Sequence, residues 1–185
     1  MDIFDRLLQS LDFAAEVRDV RLGLLHSAVL TRRCGLASTL TRDALKQARA
    51  LHPLVRAPGQ LLDRSARELA ELCRSERLPE AAIGMAAINS LLEVDEDRCR
   101  ELNAGELLAE RGAGKRVAVV GHFPFVPRLR EAARELWVIE ANPRPGDAPA
   151  RDAETLVPRA DAVGITGTAF TNHTIEHLLA LCRPD

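Results

Sequence analysis

KRVAVVGHFPFVPRLREAARELWVIEANPRPGD, residues 115–147, decides the fold. Its first apolar run, Val117-Ala118-Val119-Val120, lies between Lys115-Arg116 and Gly121. Such a run suits a strand buried on both faces of a parallel sheet. Gly121 to Pro124 reads as a turn. A helical pattern follows from Phe125 to about Leu136, with Pro127 admissible in the first turn, where a missing N–H costs no helical bond. Trp137-Val138-Ile139 reads as a second buried strand ending at Glu140. Strand, helix, strand is a βαβ unit with a right-handed crossover, and in such sheets ligands bind beyond the carboxyl ends of the strands. The Gly121 turn and the acid at Glu140 both sit there.

The pattern continues toward the C-terminus. Asn142 to Pro149, rich in Pro, Gly and Asp, reads as a loop over the strand ends. Asp152 to Val157 reads as a helical turn. Ala162-Val163-Gly164-Ile165 reads as a third buried strand, with Thr166-Gly167-Thr168 as its exit turn and Thr171 capping a last helix from Asn172 to Cys182. Toward the N-terminus, Asn103 with Glu106 resembles a capping box opening a helix that ends near Gly112. Glu93 to Arg100 is charged and reads as a linker. The segment PEAAIGMAAINSLLEV, residues 79–94, has Pro79 and Glu80 suited to a helix start. Its many small residues let another backbone approach, which marks a central helix. Asp63 reads as the cap of a helix to about Arg74, and Thr41 as the cap of one to about Leu51. Earlier still, residues 2–14 read as an amphipathic helix. Strands over 17–24, 26–31 and 36–40, with a turn at Arg32-Arg33-Cys34-Gly35, form an antiparallel meander. The expected fold is α/β in two domains. Residues 1–100 form an α+β part, and residues 101–185 a small parallel sheet with helices.

Composition narrows the function classes. The 185 residues are 46% apolar and 28% charged, as in an ordinary globular protein. A net charge of −2 offers no basic excess for nucleic acid, and 3% aromatics with no Tyr supply no base-stacking platform. No apolar run approaches the roughly 18 residues that span a bilayer. The N-terminus carries acids among its apolar residues and has no basic leader, so it does not read as a signal peptide. Cys34, Cys73, Cys99 and Cys182 form no CxxC pair. Reduced thiols in a cytoplasm are the simplest account. The expected protein is cytoplasmic and takes neither nucleic acid nor membrane as partner.

Several constellations carry chemistry. Glu140 follows Gly121 at about the spacing of an acid that binds a ribose hydroxyl. The GxGxxG fingerprint is missing, however, and Phe123 and Pro124 would obstruct a pyrophosphate, so ordinary dinucleotide binding is not expected. Either Glu140 serves a ligand or it is a solvated strand-end acid. His122, in the turn at a strand's carboxyl end, is open to both readings too. His173-Thr-Ile-Glu176-His177 matches HxxEH, but only eight residues follow His177. Helix-end histidines are therefore the default over a catalytic zinc. Asn89, in an otherwise apolar helix, either ties down a neighbouring backbone or faces a cleft. Thr166, Gly167 and Thr168 with Asn172 place hydroxyls, N–H groups and an amide near a helix N-terminus, which is either an anion site or a capped helix. No Ser-His-Asp set, P-loop or close acidic pair stands out, and Cys182 has no base near it in sequence.

The phrases GHFPFVPRLRE, WVIEANPRPGDAP and LVPRADAVGITGTAFTNHTIEHLL resemble the family known as putative heavy-metal chelation proteins. RLGLLHSAVLTRRCGLASTL and AAIGMAAINSLL resemble the domain of unknown function that precedes it there. This resemblance implies a small enolase-N-terminal-like domain, then a Rossmann-like domain, with a ligand site where they meet. By motif that site takes in Gly121, His122, Phe123, Pro124, Glu140, Asn142, Gly146, Asp147, Thr166, Gly167, Thr168, Asn172, Thr174 and Asn89. Family members continue past the last helix with a further strand and helix, whereas this chain stops at Arg183-Pro184-Asp185. Three parallel strands would leave an open edge, so either the chain is a truncated or shortened member or a partner subunit, such as a second copy, covers that edge. The expected function is binding of a small anionic molecule or metal chelate between the domains; no cofactor, metal ligand or reaction is named. The alternatives are a nucleoside-dependent transferase of methyltransferase type, with the ribose at Glu140, and a non-catalytic assembly module.

Overall fold

The computed structural model describes residues 2–48 and 52–184. The chain divides into two compact units, residues 1–94 with 168–173, and residues 95–167 with 174–185. It is a mixed α/β protein with one antiparallel and one parallel sheet.

The first unit opens with α1, Ile3–Gln9, closed by a capping box between Asp2 and Asp5. Arg74 braces both acids, at 2.9 and 2.6 Å. Strands β1 (Asp19–Leu22), β2 (His26–Leu30) and β3 (Cys34–Ser38) form the expected antiparallel meander. Cys34 and Gly35 belong to β3 rather than to the turn, which is confined to Thr31-Arg33. α2, Thr41–Gln47, starts one residue after Leu40, which sits at φ 52° with no side-chain cap. The Thr41 hydroxyl instead donates to the Leu24 carbonyl. The expected extension of this helix to Leu51 lies outside the described residues. α3, Ala66–Glu71, is capped by Ser65 and not by Asp63. Glu68 returns its carboxylate to the Ser65 N–H at 2.8 Å, completing a capping box.

The centre of this unit is α4, Leu78–Leu91, in which every residue but Asn89 is buried. Small residues allow it. A Cβ on Gly35 would stand 2.0 Å from the Ala86 carbonyl oxygen, so β3 meets α4 backbone to backbone. Thr31 fastens the same helix by donating to the Ser90 carbonyl and hydroxyl at 3.0 and 2.8 Å.

The second unit begins with α5, Ala104–Gly112, capped by Asn103, whose side chain accepts from the Gly105 and Glu106 N–H groups. The Glu106 carboxylate is drawn to Arg128 at 3.0 Å. The βαβ unit follows as β4 (Arg116–Val120), α6 (Val126–Ala132) and β5 (Glu135–Glu140), with β4 and β5 parallel. α6 is shorter than its pattern suggested, because the chain from Ala133 turns extended to enter β5. A two-residue strand, β6 (Ala148–Pro149), lies inside the expected loop and pairs with β5. The sheet therefore has four strands, not three, in the order β6-β5-β4-β7, with β7 at Ala162–Ile165. Val117 and Val119 on β4 are fully buried and pack with Ala109 of α5 and Leu129 of α6. α7, Ala153–Leu156, precedes β7.

The expected helix 172–182 is broken. α8, Thr168–Thr171, is a single turn, His173 takes φ 61°, and α9 runs Ile175–Leu181. The reason is tertiary. Phe170 and His173 both sit edge-on to Phe4, at 6.4 and 5.6 Å, and His173 Nε2 bonds the Cys73 carbonyl at 2.7 Å. These contacts hold 168–173 in the first unit.

At the entry end of the parallel sheet Asp161 accepts from the Arg116 Nε and Nη2 at 3.1 and 2.7 Å, and from its N–H at 3.0 Å. Arg183 adds a bond at 3.0 Å. The Arg116 bonds hold the Asp161 carboxyl well below the ordinary carboxylate range. A carboxyl with a folded-state pKa below its unfolded one stabilises above the unfolded value, about 4, and that contribution is lost as pH falls through the folded value. Asp161→Asn is therefore expected to lower stability at pH 7 and to flatten its fall below about pH 4, so that the two proteins converge in acid. Urea titrations at pH 7, 5 and 3 would show this. Two parallel curves with a constant offset would count against it.

Candidate functional site

Gly121 ends β4 at φ 107°, in the left-handed range where a side chain is strained. A Cβ there would stand 3.1 Å from Thr166 Cβ and 3.2 Å from the Phe123 ring. The Thr166 N–H donates to the Val120 carbonyl at 3.0 Å. The exits of β4 and β7 are thus adjacent, and Gly121 is what lets them close up.

Beside them runs a groove of about 430 Å³ along the face of β7. α5 forms one wall through Ala104, Leu107, Leu108 and Arg111, and Phe123, Phe125, Thr166 and Gly167 stand at the strand exits. The two phenyl rings stack with centroids 4.8 Å apart and planes 10° off parallel. Gly164 opens the floor, since a Cβ there would meet Leu108 Cδ2 at 2.8 Å. The volume falls within the roughly 300–1,000 Å³ of small-molecule sites, and the lining is mainly apolar with a few polar groups, as in such sites.

On the other side of the turn His122 is clamped twice. Its N–H donates to Glu140 Oε1 at 3.0 Å, and its Nδ1 lies 3.2 Å from Asp147 Oδ2. Asp147 also accepts the Arg144 N–H at 3.1 Å, and its side chain is only 3% exposed. Glu140 Oε2 accepts the Asn142 N–H at 3.4 Å. Both Glu140 oxygens therefore brace backbone, one in each loop. Gly146, at φ 93°, makes the turn that returns Asp147 toward His122.

Of the residues singled out in the sequence, Gly121, His122, Phe123, Glu140, Asn142, Asp147, Thr166 and Gly167 gather at the strand exits of the second unit. Pro124 is exposed beyond the turn, and Gly146 serves the loop. Thr168 and Asn172 belong to the first unit. The helix that follows Thr166 and Gly167 in the chain, α8, is a single turn of four residues. Thr174 is the N-cap residue of α9. Asn89 is exposed and donates to the Leu36 carbonyl at 2.8 Å, tying β3 to α4. His173 and His177 do not act together: the first bonds Cys73, and the second pairs with Glu154 at 2.8 Å. Sequence reasoning missed Leu107, Leu108 and Arg111. Their signal was present, since 104, 107, 108 and 111 share one helical face.

Two family models match the chain, each described as "Putative heavy-metal chelation": DUF4213 over residues 4–92 and DUF364 over residues 103–185. Among solved structures, the chain is similar to a protein of unknown function of the DUF364 family from Desulfitobacterium hafniense DCB-2. The identity is 26%, over 98% of this chain and 73% of that one, with a TM-score of 0.83. A second DUF364 protein of unknown function, from Pyrococcus horikoshii, shares the fold at 20% identity, over 97% and 72% of the two chains, with a TM-score of 0.76. No curated protein matches.

Proposed function

We propose that the second unit, whose residues 103–185 match the DUF364 model described as "Putative heavy-metal chelation", binds a small anionic molecule able to chelate a metal. The observation that carries this reading is the contact of the Gly121 and Thr166 turns beside the groove. Ligands of open parallel sheets collect at such strand exits. Exposed backbone such as that of Gly167 can donate N–H bonds to an anion, while Leu107, Leu108, Phe123 and Phe125 offer an apolar wall. The proposed setting is the cytoplasm, where exposed thiols such as Cys34 and Cys99 stay reduced. No helix among the described residues is long and apolar enough to cross a membrane.

Native mass spectrometry of the protein as purified is expected to show a co-purifying species of a few hundred daltons that leaves on denaturation. For an unloaded preparation, citrate at about 100 times its Kd should add about 2.7 kcal/mol of stability. Filling the groove by Leu107→Trp should abolish both effects. A protein that carries nothing and is unmoved by citrate, pyrophosphate or a nucleotide would remove the reading.

The transferase alternative depends on Glu140, whose two oxygens already brace loops. The assembly alternative has an observation in its favour. Among the described residues β7 pairs with β4 on one side only, whereas Pro149 blunts the opposite edge at β6. Sedimentation showing a stable oligomer would move the weight to it.

A further inference from the structure

The metal in the family's description does not fit this chain as a bare ion. Among the described residues no group of three or more His, Cys, Asp and Glu stands where it could hold one. Soft metals favour thiolates, yet burial pushes the Cys73 thiol up to about 12, where it keeps its proton.

The second unit presents instead one imidazole held as a ligand is held. A carboxylate has no hydrogen to give, so His122 Nδ1 donates to Asp147 across their 3.2 Å contact. In the tautomer with the proton on Nδ1 the lone pair lies on Nε2, which has no hydrogen-bond partner among the described residues. The Glu140 bond fixes the backbone of the same residue. A carboxylate behind an imidazole is the arrangement that orients metal-binding histidines and raises their basicity.

We propose that the metal reaches this site already wrapped by a small anionic chelator, and that His122 Nε2 fills its open coordination position, with Asp147 as the positioning residue. The class of ligand is a complex of a borderline divalent cation, which imidazole suits, with a polydentate carboxylate that leaves a position free. This rests on the reading that the strand exits bind a small anionic molecule.

The probe is copper(II)–iminodiacetate, whose paramagnetic ion broadens nearby amide signals of the 15N-labelled full chain. Signals of Gly121, His122, Phe123 and Asp147 are expected to broaden at substoichiometric complex, before those around His26, His52, His173 and His177. His122→Gln should remove that preference. Asp147→Asn should weaken binding by about 10–100-fold, and imidazole 15N spectra should show His122 losing its Nδ1–H form in that variant. Broadening spread evenly over the histidines, or unchanged in His122→Gln, overturns the proposal. If citrate still stabilises His122→Gln while the copper complex ignores the turn, this inference alone fails. If neither probe binds at the strand exits, the reading beneath it fails as well.

Discussion

Gly84→Ala is expected to destabilise the first unit by more than about 3 kcal/mol. Local propensity argues for the opposite sign, because Ala is favoured over Gly inside a helix by about 1 kcal/mol. Packing decides it. A Cβ at position 84 would stand 1.9 Å from Cys73 N, 2.5 Å from Leu72 C and 2.6 Å from Cys73 Cα. These are backbone atoms of the 3₁₀ segment Leu72–Arg74, and no rotamer change removes them. α4 must therefore back away by about an ångström or more along a face buried at every residue but one. Overpacking costs about 1–3 kcal/mol where side chains can shift, and more where they cannot. Against a native stability of about 5–15 kcal/mol the loss is large. Urea unfolding should show a clear drop in midpoint. Gly59→Ala, where nothing lies within 4 Å of the added carbon, should stay within about 0.5 kcal/mol of wild type. If Gly84→Ala equals or exceeds wild type, α4 and residues 72–74 are not in backbone contact.

Glu80→Ala is expected to cost about 3 kcal/mol. The side chain is 1% exposed and accepts four bonds: from the Arg56 N–H at 2.7 Å, the Arg56 Nε at 3.1 Å and Nη2 at 2.8 Å, and the Ser75 hydroxyl at 2.6 Å. Burial pushes this carboxyl up, but the bonds from Arg56 and Ser75 outweigh burial, and the net shift is downward. Removing the carboxylate leaves the Arg56 N–H and the Ser75 hydroxyl without their acceptor. Arg56 itself is 57% exposed and returns to water, which keeps the loss at the low end of the roughly 3–5 kcal/mol for a broken buried pair. Glu80→Gln retains an acceptor oxygen and should lose about half as much. A change under about 0.5 kcal/mol for Glu80→Ala, in the same urea series, would show that the pair contributes nothing net.

The legible part of this protein was the part with a period or a run. β4 and β5 are continuous apolar segments because central parallel strands are covered on both faces, and Val117, Ala118 and Val119 are fully buried; β7 is apolar too, but as an edge strand it is only half-buried. The meander and the central place of α4 followed from alternation and from small residues. Some misses had signals in plain view. Ser65 with Glu68 spells a capping box two residues past Asp63. The face of α5 that walls the groove is periodic, but a period marks an inward face without telling core from groove. β6 had no signal, since two residues with a proline carry no pattern.

The chain's own order of residues determined which segments become strands and helices, and that the Gly121 turn would sit at the end of a parallel strand. Those facts depend on neighbours a few positions away. Tertiary structure alone decided that residues 168–173 join Phe4 and Cys73, that Glu80 serves as a buried acceptor rather than a helix-dipole charge, and that His122 meets Asp147. Phe4 meets His173 across 169 positions, His173 meets Cys73 across 100, His122 meets Asp147 across 25 and Glu80 meets Arg56 across 24. At such separations side-chain geometry after folding, not local pattern, sets who meets whom.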